Sequence, residues 1–86
     1  MQPSAITDFR LGLEIRLPRA EQAIQRPLTA NGTWSFDIEH DTRHVHVSWC
    51  PVAGFLVGRH GVHERNVDQA LKATVSELMK PSLLAA

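Results

Sequence analysis

The sequence predicts a small α+β domain: an antiparallel sheet with the C-terminal helix packed on one face. Three observations predict it. Residues 33–40 (TWSFDIEH) and 43–49 (RHVHVSW) both alternate apolar and polar side chains around a short polar stretch, as a β-hairpin does. Residues 67–79 bring apolar side chains round at helical spacing. Residues 9–17 (FRLGLEIRL) alternate strictly, which reads as a long half-buried strand. The predicted order of elements is β-α-β-β-β-α.

In the strand over 9–17, Phe9, Leu11, Leu13, Ile15 and Leu17 share one face, while Arg10, Gly12, Glu14 and Arg16 share the other. Pro18 ends it and can open a helix, because its fixed φ suits the first helical position. Residues 19–26 (RAEQAIQR) hold good helix formers and are predicted to form a short helix that Pro27 stops, with Asn31-Gly32 as the following turn. The hairpin then closes over His40, Asp41, Thr42 and Arg43. Its register pairs Glu39 with His44, Ile38 with Val45, Asp37 with His46, Phe36 with Val47, Ser35 with Ser48 and Trp34 with Trp49. Apolar meets apolar and polar meets polar, and a one-residue slip would turn one strand inside out. After Cys50-Pro51, GFLVGR supplies a short fourth strand, and Gly58 and Gly61 bracket a tight loop. Asn66, with Gln69 three residues on, is a capping pair for the last helix. Val67, Leu71, Thr74 or Val75, and Leu78 or Met79 then recur at helical spacing, and Pro81 closes that helix. Trp34, Phe36, Trp49, Phe55, Leu71 and Leu78 are the expected core. Residues 1–86 are read as a single domain, with 1–8 and 82–86 as flexible tails.

Eighty-six residues suffice for one modest core. Nine basic and nine acidic side chains cancel, so the basic excess of a dedicated nucleic-acid binder is missing, and a neutral surface favours self-association. A homodimer is expected. The single cysteine, Cys50, cannot form an internal disulfide. The N-terminal residues lack the basic start and apolar run of a signal peptide, and no stretch approaches the ~20 apolar residues of a membrane span, so a cytoplasmic protein without membrane contact is expected.

Several clusters could carry chemistry. The hairpin's polar face stacks Asp37 and His46 beside Glu39 and His44. This set has the donor types of a Zn²⁺ or Ni²⁺ site, and equally those of a solvated cross-strand ladder that would respond to pH. His60 and His63-Glu64 lack the metalloprotease spacing HExxH and read as loop residues. Cys50 has no sequence-adjacent base, and there is no serine elbow, phosphate-binding loop or paired-acid signature. The expectation is a non-enzyme that requires no cofactor. Residues 58–61 (GRHG) resemble the GxxG loop with which KH domains clamp nucleic-acid backbones. That resemblance implies an RNA- or ribosome-binding alternative using Arg59, His60 and Arg65, with Arg10 and Arg16 as further cations.

Ile38-Glu39-His40-Asp41, Pro51, Gly54 and Val67-Asp68-Gln69-Ala70-Leu71 together resemble the HicB-type antitoxin domain over residues 38–79. That family has an acidic first hairpin, a strand ending in proline, a short glycine-containing strand and a helix. The resemblance implies a dimeric, non-catalytic protein that neutralises a small RNA-cleaving toxin by covering its surface. It assigns no toxin-contacting residue. Leu84-Ala85-Ala86 resembles the ending of bacterial degradation tags, which suits a labile antitoxin. A phage-type inhibitor of a protein partner fits the same physical reading.

Overall fold

A computed structural model describes residues 2–29, 32–58 and 63–79. In chain order they form α1 (Ser4–Arg16), β1 (Glu21–Gln25), β2 (Trp34–His40), β3 (Arg43–Cys50), β4 (Gly54–Val57), β5 (His63–Glu64) and α2 (Val67–Met79). The strands make one antiparallel sheet in sequence order, β1-β2-β3-β4-β5. The expected α+β class, antiparallel sheet and C-terminal helix packed on the sheet are all present.

The hairpin has the predicted register in full, from Trp34 opposite Trp49 to Glu39 opposite His44. His40 pairs with Arg43, so the turn itself is only Asp41-Thr42. Asp41 takes φ 56°, a left-handed conformation that a short polar side chain tolerates better than most. Trp34, Phe36, Ile38, Val45 and Val47 are buried on one face, and Asp37, Glu39, His44 and His46 are exposed on the other. β4 and α2 also form where the sequence places them. Asn66 caps α2 by accepting the Asp68 N–H at 2.7 Å. β5 is an addition to the expected order. Gly54, at φ 84°, permits it, because a Cβ there would lie 2.6 Å from the Glu64 carbonyl oxygen.

The first two elements are exchanged relative to expectation. Residues 9–17 are not a strand: all but Leu17 belong to α1, whose first turn is held by the Pro3 carbonyl accepting from Ile6 and Thr7 (3.1 and 3.2 Å). The alternation of FRLGLEIRL therefore splits. Ile6, Phe9 and Leu13, spaced i, i+3, i+7, are fully buried, whereas Leu11 and Ile15 are 44% and 80% exposed. The helix also takes in residues 4–8, and Ile6 is part of the core. Residues 21–25 are not helical but form β1 along the outer side of β2. An eight-residue helix between two prolines is marginal on its own, whereas β2 offers a row of backbone partners. Ile24 then lies opposite Phe36 and Gln22 opposite Ile38. The expected edge strand 9–17 is thus replaced by β1.

Both helices cover the apolar face. Phe9 sets its ring 4.9 Å from Phe36 and 5.0 Å from Phe55, and Trp49 packs 6.1 Å from Phe55. Ala70, Leu71, Thr74 and Leu78 of α2 complete the core, with Thr74 donating to the Ala70 carbonyl at 2.8 Å. Each large side chain buried this way contributes ~1.5–3 kcal/mol. Among the described residues no helix is long and apolar enough to cross a membrane. The 82–86 tail lies outside the described residues.

Candidate functional site: the helix-free face of the sheet

With both helices on one side, the other side of the sheet is uncovered among the described residues. Period-two alternation places Glu21, Ala23 and Gln25 of β1 there, with Ser35, Asp37 and Glu39 of β2 and His44, His46 and Ser48 of β3. His46, with its proton on Nδ1, donates to Asp37 Oδ1 at 3.1 Å, and His44 Nε2 stands 3.5 Å from the same oxygen. The hydrogen bond from His46 holds the Asp37 carboxyl below its ordinary value, and the charges of both imidazoles add to this against some desolvation.

The expected ladder is therefore altered in one rung. Asp37 and His46 pair as predicted. His44 lies opposite Glu39 in the backbone register, yet its ring leans diagonally to Asp37. Among the described residues Glu39 has no ion pair, and its other neighbour is Glu21, directly across on β1. Like charges in opposed positions destabilise a strand pair. A shallow depression of about 210 Å³ lined by Glu21, Gln22, Ala23, Asp37 and Glu39 lies over this corner. A second, of about 380 Å³, opens beside the imidazoles between His44, Val45, His46, Gly58 and Glu77.

Both imidazoles converge on one carboxylate oxygen of a flat surface, Glu39 stands aside, and no three His, Cys, Asp or Glu side chains gather in a metal-holding group among the described residues. Cys50 is half-buried, and its Sγ accepts the Ala53 N–H at 3.3 Å, the role of a turn cap. Of the RNA-binding alternative, Arg59, His60 and Gly61 lie outside the described residues, as does Leu84-Ala85-Ala86. Arg65 is exposed between β5 and α2. Arg10 and Arg16 lie on α1 and each reaches a carboxylate, Glu14 at 3.9 Å and Asp68 at 3.8 Å.

Sequence reasoning missed Glu21, because a helix over 19–26 hides its place beside Glu39. The signal was present in EQAIQ, where Gln22 and Ile24 can match Ile38 and Phe36 only if the segment is extended. It also missed Gln22. That side chain points to the helical side and donates from Nε2 to the Arg10 carbonyl at 3.1 Å, but its buried Oε1 has no hydrogen-bond partner among the described residues.

Comparison with known protein families, with characterised proteins and with solved structures finds no match to this chain.

Proposed function

We propose that this protein is a non-catalytic binding protein that occludes a protein partner, and that the partner presents a basic surface to the helix-free face of the sheet. One observation carries the reading: Glu21 and Glu39 face each other, beside Asp37, with no cation on either glutamate among the described residues. A partner's lysines or arginines would relieve that repulsion and be steered to the face from a distance. The HicB-like antitoxin is the specific version we favour. Its target, a small RNA-cleaving protein, must carry cations to hold phosphates, and an acidic sheet can cover them. A phage-type inhibitor of another basic protein would work in the same way, and either would act in the cytoplasm.

The test is affinity capture from the native host with wild type and with Glu21→Lys/Glu39→Lys. A partner retained by wild type, released by salt and lost with the charge-reversed variant supports the reading. A partner held equally by both forms overturns it. RNA bound at low salt in place of protein would instead support the RNA-binding alternative.

A further inference from the structure

We infer that two copies of this chain pair antiparallel through the outer edge of β1, joining their sheets into one. β1 lies at the end of the strand order, and among the described residues no backbone hydrogen bond reaches its outer side. Over Glu21–Gln25 it has no lysine, no internal proline and no bulge, and the one charge on it is Glu21.

The surroundings of this edge fit a second copy in particular. A two-fold axis normal to the sheet keeps both helical layers on the same side, and opposed residues must then share a face, so the axis passes beside a residue of β1. Placed at Gln22, it sets the two Gln22 amides against each other. Oε1 is buried in the single copy, so donation from one Nε2 to the partner's Oε1, the orphaned acceptor, requires the two amides to turn toward the joint, exchanging the bond to the Arg10 carbonyl for one across the axis. A buried acceptor without a donor is destabilising, and a second copy offers the donor that the single copy lacks.

The helical layer above is complementary too. Gln22 bonds Arg10, which places that flank of α1 over β1, while Phe9 sits over Phe36 of β2. Strand spacing then puts the two α1 axes roughly 14 Å apart, within reach of paired arginine and glutamate side chains. The flank carries Arg10 and Glu14 one turn apart, both exposed. An antiparallel copy sets Arg10 of each protomer opposite Glu14 of the other. The half-buried Ile24 below is covered at the same time.

This inference does not rest on the occlusion reading, since it concerns the protein alone. The experiment uses the full chain in sedimentation velocity and in hydrogen exchange, over a concentration series from micromolar to hundreds of micromolar. A dimer should form as concentration rises, and the amides of residues 21–25 should gain protection with it. Glu14→Arg, which sets like charges across the axis twice, should raise the dissociation constant about tenfold. Arg10→Glu/Glu14→Arg should restore it, with circular dichroism confirming that each variant is folded. A monomer at every concentration overturns the inference, and so does a dimer in which residues 21–25 exchange no more slowly than in the monomer.

Discussion

Replacing Phe9 and Leu11 separately by alanine distinguishes α1 from the strand that the alternation of FRLGLEIRL suggests. In a strand the two side chains share a face and both truncations should hurt alike. In α1 they lie roughly 200° apart around the axis. Phe9 is fully buried, between the rings of Phe36 at 4.9 Å and Phe55 at 5.0 Å, whereas Leu11 is 44% exposed. Phe9→Ala should cost ~3–5 kcal/mol, part of it from two aromatic contacts of ~0.5–1.5 kcal/mol each. At ~0.05–0.15 kcal/mol per residue an 86-residue domain holds about 4–13 kcal/mol, so the loss is roughly a quarter or more of the total. The midpoint of thermal unfolding should fall by at least about 12 °C. Leu11→Ala should stay within about 0.5 kcal/mol of wild type. Both are read from urea and thermal melts by circular dichroism, in dilute solution so that self-association does not enter the midpoint. Comparable losses for the two variants would refute the helix, as would a Phe9→Ala protein that melts near wild type.

Gly12→Ala should lower stability despite the gain of about 1 kcal/mol in helix propensity. The added Cβ would lie 2.5 Å from Leu71 Cδ1, and buried Leu71 has little room to swing away, so overpacking of ~1–3 kcal/mol opposes the gain. A higher melting temperature for Gly12→Ala would mean that α1 and α2 are not closely packed there. Asp37→Asn should narrow the stability difference from wild type only in acid. The Asp37 pKa is lowered in the fold, so its contribution is fully present above the unfolded value near 3.8 and is lost as pH falls through the lower folded value. Chemical denaturation across that range checks it, and a difference that persists unchanged below it would remove the His46–Asp37 bond as the cause.

The parts of the fold legible in the sequence are those where two segments constrain each other. The hairpin register follows from two alternating strands and a turn too short for any other pairing, and α2 from a cap, a helical apolar repeat and a following proline. α1 and β1 were not legible because each has a local pattern at odds with its place. Strict alternation over residues 9–17 contains i, i+4 pairs as well as i, i+2 pairs, so Phe9 and Leu13 serve a helix as readily as a strand. Glu21–Gln25 has weak strand propensity and becomes extended because β2 needs a neighbour. The candidate site was legible in the same degree. Asp37, Glu39, His44 and His46 come from the hairpin and share its exposed face as expected. Glu21 arrives with β1, so the acidic corner could not be assembled until that strand was placed.

The two proposed surfaces meet at the two-fold axis, and their energies are coupled there. With the axis at Gln22, Glu21 of one copy and Glu21 of the other stand on the same face in diagonal positions roughly 7–8 Å apart. Each already faces Glu39 within its own sheet. Edge pairing therefore merges two acidic corners into one patch and adds repulsion across the axis, which weakens the dimer when nothing neutralises the face. A basic partner seated on that patch removes the repulsion and favours the joined sheet. By linkage the dimer must then hold the same partner more tightly than a single copy does. The unrelieved carboxylates on the face and the unpaired edge beside them would thus act together: the charge that limits self-association in the free protein is the charge that a bound cationic surface neutralises.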